Sequence, residues 1–148
     1  MRRPLPIFAL AVSLLLAASA WTQETLVMTQ PQHLLLQFDG QEIAIELDES
    51  ATVDSLLAAL PLTLTFEDYA GKEKIAHPDI QWDTADAPAG YDPSVGDLTV
   101  FAPWGNLALF YGEQSYARGL VYLGKIVRGA DQVSTLDQVA QVTLVLAP

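Results

Sequence analysis

The sequence predicts a mainly β domain, with about eight short strands and two short helices arranged as a small barrel. Three observations lead there. Apolar and polar residues alternate in short runs, the period of two that turns one face of a strand into a core. Clusters of Gly, Pro, Asn and Asp interrupt these runs at close spacing. Residues 87–126 combine both features. They read as a Tyr-Asp-Pro turn, a strand, the turn Pro103-Trp104-Gly105-Asn106, a second strand, a Gly-rich connection and a third strand. Such a stretch places aromatic residues at the rim of a barrel.

The chain opens with the three parts of a secretory leader. Arg2 and Arg3 form a basic start, residues 5–16 an apolar run, and Ala18-Ser19-Ala20 an A-x-A cleavage site. The expected product is exported, to the periplasm or the exterior, and begins at Trp21. Its apolar run is short for a membrane span, although an uncleaved anchor differs from a leader mainly in length. Residues 21–32 are polar, aperiodic and broken by Pro31, and read as a tether.

The domain proper, 33–148, begins with two apolar-rich runs around Asp39-Gly40, a hairpin signal. In the second run Ile43, Ile45 and Leu47 share a face, with Glu42, Ala44 and Glu46 opposite. A helix follows to Leu60, capped by Ser50 or Thr52, with an apolar stripe of Val53, Leu56, Leu57 and Leu60. Pro61 ends it. Residues 62–66 alternate as a strand with Leu62, Leu64 and Phe66 inward.

The long segment 67–93 is punctuated by Gly71, Pro78, Pro88, Gly90 and Pro93. It reads as a functional or self-packed loop with an extended piece near 74–80. Further strands are expected at 95–101, 107–111 and 120–127, the last with a bulge at Gly124. A helical turn at 131–139, with Ser134 and Thr135 as alternative caps, leads to a final strand at 141–146. There Val142, Leu144 and Leu146 face inward.

Composition excludes several functions. There is no cysteine, so disulfides, thiolate zinc sites, iron–sulfur clusters and cysteine nucleophiles are out. The net charge is −11, and loss of Arg2 and Arg3 with the leader makes the product more acidic still. A field of that sign repels nucleic acid and anionic membranes. No Gly-x-Ser-x-Gly elbow, dinucleotide fingerprint or phosphate-binding loop occurs. Eighteen acids leave paired glycosidase carboxylates open without marking a pair. His33 and His77 lack metal-ligand spacing. Asp79, Asp83, Asp86 and Asp92 lack the ligand spacing of a calcium loop and read as a solvated face. No metal or cofactor is expected.

Several strings resemble a known family. They are residues 56–69, from Leu56 through Pro61 and Phe66 to Tyr69; Gly71-Lys72-Glu73-Lys74; and Ala87-Pro88-Ala89-Gly90-Tyr91-Asp92-Pro93. Gly96-Asp97-Leu98, residues 103–111 and residues 115–126 continue the series. Together they are similar to the small bacterial cyclophilin-like proteins over about 34–146. The resemblance implies a closed eight-stranded barrel with a helix at each end. It does not carry the prolyl-isomerase activity of true cyclophilins. Their Phe-His-Arg strand and Phe-Met-Ile-Gln-Gly-Gly-Asp run are absent, and only Gly96-Asp97 matches the end of the latter.

The expected function is a binding module for a small ligand or an extended peptide, its groove lined by Tyr91, Trp104, Phe110, Tyr111, Tyr116 and Arg118. Trp104 and Tyr91 equally fit a bland role, plugging and covering the end of a barrel. Arg118 is the one candidate catalytic residue. An arginine donor beside an amide would lower the barrier of about 18–20 kcal/mol to proline isomerisation. Its alternative is a surface arginine paired with a carboxylate, its stem lying on Tyr116. A third reading is an accessory subunit that meets a partner through an external apolar patch.

Overall fold

The computed structural model describes residues 29–148. The leader and residues 21–28 of the tether lie outside the described residues. Residues 29–32 are exposed and belong to no helix or strand.

The chain forms β1 (His33–Phe38), β2 (Gln41–Leu47), α1 (Ala51–Ala59), β3 (Leu62–Leu64), β4 (Glu67–Tyr69) and β5 (Glu73–Ala76). It continues with β6 (Gly90–Tyr91), β7 (Asp97–Phe101), β8 (Asn106–Phe110), β9 (Ala117–Arg118) and β10 (Leu120–Arg128). A 3-10 helix (Ala130–Gln138) and β11 (Val142–Leu146) complete it. Nine strands make one antiparallel sheet in the order β3-β11-β1-β2-β10-β7-β8-β5-β4, and β6 pairs with β9 as a separate ribbon.

Local chemistry explains the elements the sequence announces. Asp39 and Gly40 take positive φ of 46° and 72°, the turn whose twist matches paired strands, so β1 and β2 align from Phe38↔Gln41 to His33↔Glu46. Ser50 caps α1, its Oγ accepting from the Val53 N–H at 3.1 Å. Thr52, the alternative cap, is buried instead and donates to the Asp83 carbonyl at 2.6 Å. Gly129 rather than Ser134 or Thr135 starts the 3-10 helix, and no side chain caps it.

The sheet is a curled half-barrel of nine strands, not the closed eight-stranded barrel expected. Its edge strands, β3 and β4, are consecutive in the chain and two residues apart. They do not pair, because β3 is bonded to β11 and β4 to β5. The single strand expected at 62–66 therefore stops at Leu64, and the chain turns a corner. Phe66, 2% exposed, fills that corner. At the far end of β11, Val142 and Leu144 are buried as expected, but Leu146 is exposed because the strand outruns its partner β3, whose pairing begins at Leu144.

The main core lies between the sheet and its two helices, with Leu36, Ile45, Val100, Leu109 and Leu123 against Leu56 and Leu136. A second, smaller core of Ile75, Ala108, Phe110 and Leu120 lies apart from it. In β8 the alternation resolves the two: Leu107 and Leu109 join the main core, Ala108 and Phe110 the second. The strand is buried on both faces and reads as a continuous apolar run.

Gly124 sits at the bulge expected there, where the β10–β7 register slips between Tyr122 and Gly124. A Cβ on this residue would lie 2.3 Å from the Glu46 carbonyl oxygen and 3.1 Å from Leu47 Cα. Backbone must move to admit it. Gly124→Ala is expected to destabilise the domain by about 1–3 kcal/mol, read from the urea midpoint at unchanged slope. A cost below about 0.5 kcal/mol, the range of ordinary surface changes, would show that β2 and β10 part freely.

Candidate functional site

The aromatic residues singled out in the sequence separate into three neighbourhoods. The first centres on Asp97, a carboxylate with 2% exposure at the start of β7. Its Oδ2 accepts from the Tyr91 hydroxyl at 2.7 Å and from the Ser94 N–H at 2.8 Å. Tyr91 packs on Tyr122 with ring centroids 5.2 Å apart. Burial, then the bond to Asp97, pushes the Tyr91 hydroxyl well above its ordinary pKa. Tyr91 is thus a strut tying the β6–β9 ribbon to the sheet.

Beside it lies a hollow of about 450 Å³, lined by Asp48, Glu49, Asp83 and Asp86 as well as by Tyr91 and Tyr122. Its wall comes from the long loop, which is packed rather than loose. Thr52 holds the Asp83 carbonyl, Ser55 Oγ accepts from the Asp83 N–H at 3.0 Å, and Trp82 Nε1 donates to the Gly105 carbonyl at 3.0 Å. Of the four loop aspartates, only Asp83 and Asp86 reach this hollow. Among the described residues no group of three or more His, Cys, Asp or Glu is placed to hold a metal.

The second neighbourhood is built on Lys74, whose side chain is 4% exposed. Its ammonium donates to Asp68 Oδ1 and Asp137 Oδ1, both at 2.9 Å, and lies 4.8 Å from the centre of the Tyr111 ring. The Tyr111 hydroxyl donates to the same Asp68 oxygen. Tyr111 therefore serves an internal ionic cluster and does not face a groove. Burial works to lower the Lys74 pKa, but the bonds to Asp68 and Asp137 outweigh it and the pKa rises. The bonds from Lys74 and then Tyr111 bring Asp68 from 3.8 down to about 2.

The third neighbourhood is a hollow of about 230 Å³ beside the second core, with Phe110, Ala117 and Leu120 in its lining. Three more aromatics stand at it, Tyr69, Phe101 and Trp104. Trp104 is 60% exposed and is met edge-on by Phe101, with centroids 5.3 Å apart, and by Tyr69 at 6.0 Å. Trp104 is no plug: the β7–β8 turn holds it outside the sheet. The polar residues Glu73, Asn106 and Gln114 complete the lining. Burial raises the Glu73 pKa, partly offset by Lys72.

Of the six expected residues, Trp104 and Phe110 meet at this hollow and Tyr91 lines the acidic one. Tyr116 is exposed and abuts Gly90, where an added Cβ would lie 2.5 Å from its hydroxyl. Arg118, exposed on β9, lines neither hollow, and among the described residues its side chain makes no hydrogen bond or ion pair. Sequence reasoning missed Tyr69, Glu73, Phe101 and Asn106. The registers Tyr69↔Glu73, Glu73↔Phe110 and Phe101↔Asn106 bring them together across four strands. The signal available was the position of Asn106, four residues before Phe110 on the same strand face.

The chain belongs to the Cyclophilin-like family, whose sequence profile matches residues 36–145. It is similar to the solution structure of a hypothetical protein from Archaeoglobus fulgidus, with 20% identity and a TM-score of 0.55. That match covers 77% of this chain and 93% of the archaeal one, and it shows the fold alone. None of the curated proteins compared with the chain matches it.

The Lys74 cluster carries a pH prediction. A carboxylate that ionises near 2 when folded and near 3.8 when unfolded adds stability above 3.8, and that stability drains away as pH falls toward 2. Asp68→Asn is expected to melt below the wild type at about pH 7, with the gap closing by about pH 2. A gap constant across that range would show that Asp68 contributes by packing alone.

Proposed function

We propose that the domain is a binding module whose site is the aromatic hollow between Trp104 and Phe110. Trp104 carries this reading. A tryptophan left 60% in water forgoes about 1–2 kcal/mol of burial, yet here it is held in place by Phe101 and Tyr69 beside an open hollow. Exposed aromatics clustered at a concavity fit a surface that is covered in use. At about 230 Å³ the hollow is below the usual range of about 300–1,000 Å³ for drug-sized ligands. It suits a one-ring molecule or a single side chain of an extended peptide.

The leader-like segment, with Arg2, Arg3 and Ala18-Ser19-Ala20, supports work outside the cytoplasm. Among the described residues no helix is long and apolar enough to cross a membrane. The mass of the chain recovered from an exported fraction tests this, with a start at Trp21 expected.

Binding is tested by following the Trp104 indole N–H by NMR during titration with one-ring compounds and with short extended peptides. Shifts centred on Trp104, Tyr69 and Phe101 are expected, and Trp104→Ala should weaken binding at least about tenfold, or about 1.4 kcal/mol. Shifts that avoid these three residues would move the site elsewhere.

The isomerase alternative rests on Arg118, which lines neither hollow. We expect the protein to leave cis–trans exchange in a proline peptide unaccelerated. Acceleration abolished by Arg118→Ala would make it an enzyme with its site on β9.

A further inference from the structure

The larger hollow, of about 450 Å³, is lined by four carboxylates and by no lysine, arginine or histidine. Two segments supply them: Asp48 and Glu49 from the β2–α1 connection, Asp83 and Asp86 from the long loop. All four residues are exposed, and among the described residues none meets a cation. Elsewhere Asp68 and Asp137 share Lys74, and Glu42 meets Arg128. Of the four, only Asp83 accepts a hydrogen bond, from the Ala85 N–H at 3.1 Å.

Between the acids the lining is apolar, with Leu120, Val121 and the packed rings of Tyr91 and Tyr122. Behind Tyr91 lies Asp97, a fifth carboxylate, 2% exposed and without a cationic partner among the described residues. Tyr91 donates its one hydroxyl hydrogen to Asp97, so toward any ligand that oxygen can only accept. Burial, and then the charges of Asp97, Asp48 and Glu46, raise the Tyr122 hydroxyl above its ordinary pKa. The charges around this hollow are thus of one sign, and aromatic faces add to their attraction for a cation.

The arrangement also says which kind of cation. Among the described residues no three such groups converge to hold a metal ion. A divalent ion finds no cage of oxygens, and a single ammonium can engage two carboxylates at most. We propose that this hollow binds a linear aliphatic polyamine, whose ammonium groups are separated by runs of methylenes. One end pairs with Asp48 or Glu49 and the other with Asp83 or Asp86, while the methylenes lie along Val121 and the tyrosine rings. Each exposed pair is weak alone, but two on one molecule reinforce each other. Size agrees, since small-molecule sites span about 300–1,000 Å³. A lysine side chain of a partner carries its charge at one end and meets only one of the two segments. Trp104 does not line this hollow, so the inference stands independently of the Trp104 site.

The test titrates the intact domain with spermidine, putrescine and butylamine, followed by calorimetry and by the ring signals of Tyr91 and Tyr122. Spermidine is expected to move both rings, to leave the Trp104 indole N–H in place, and to bind at least about tenfold tighter than butylamine. Asp48→Asn and Asp86→Asn should each weaken spermidine about three- to fivefold, the size of one exposed ion pair. The Asp86 side chain makes no bond among the described residues, so Asp86→Asn should melt at or above the wild type. Loss of binding is then separate from loss of fold. Spermidine shifts scattered over the acidic surface, with the two tyrosines moving no more than the rest, overturn the site in favour of general counterion attraction. Equal binding of spermidine and butylamine overturns the polyamine assignment. Tighter binding of a lysine-rich pentapeptide than of spermidine overturns it in favour of a basic peptide. An Asp48→Asn variant that melts lower yet binds spermidine like the wild type shows a carboxylate serving the N-terminus of α1, and overturns its role in binding.

Discussion

A sheet that curls without closing must hold its two edges by something other than a ladder of backbone bonds, and here Lys74 supplies much of it. The ammonium reaches Asp68 on edge strand β4 and Asp137 on the 3-10 helix, so one buried charge ties the β4–β5 edge to the helix that leads into β11, the partner of β3. Phe66 fills the corner between β3 and β4, and Thr65 donates to the Ala140 carbonyl at 2.9 Å, extending the contact between β3 and β11 toward that corner. Burying an ammonium costs several kcal/mol unless it is paired and hydrogen-bonded. Two carboxylates about a third exposed, with the Tyr111 ring beside them, meet that requirement and keep enough water to stay ionised. What the cluster fixes is the position of Lys74 on β5.

That position has a consequence on the other side of the sheet. Lys74 and Glu73 are adjacent on β5, so their side chains point to opposite faces. Fixing Lys74 in its cluster delivers Glu73 to the second face, in register with Phe110. The partly closed sheet and the aromatic hollow are thus set by the same four-residue strand. Because β8 is buried on both faces, the second face has its own small core. The β6–β9 ribbon and the β7–β8 turn leave that core incompletely covered, and the hollow is the space that remains.

Much of the fold was legible because it is written in local chemistry. Asp39-Gly40 specifies a turn, Ser50 a cap, Gly124 a bulge, and the alternation in β2 a half-buried strand. Closure of the barrel was not legible, since it depends on whether β3 and β4 pair, and nothing local to Leu64-Thr65-Phe66 decides that. The candidate site divides in the same way. Trp104 and Phe110 stood out as aromatics in a turn-dense stretch, and they do meet. Tyr111 and Tyr91 stood out equally, but their hydroxyls serve Asp68 and Asp97. Glu73 and Asn106 looked like a charged loop residue and a turn residue. Only cross-strand register, a long-range property, brings them to one hollow.

Charge selection at such a site is a local matter. At physiological ionic strength the screening length is about 8 Å, so the net charge of −11 mainly biases encounter. Once a ligand sits against Trp104, the nearby groups decide, and there the Glu73 carboxylate is met by Lys72, whose ammonium reaches Gln114 Oε1 at 3.5 Å. The Asp68–Lys74–Asp137 cluster sets one ammonium between two carboxylates on the opposite face of the sheet, so it carries a single net negative charge away from the hollow.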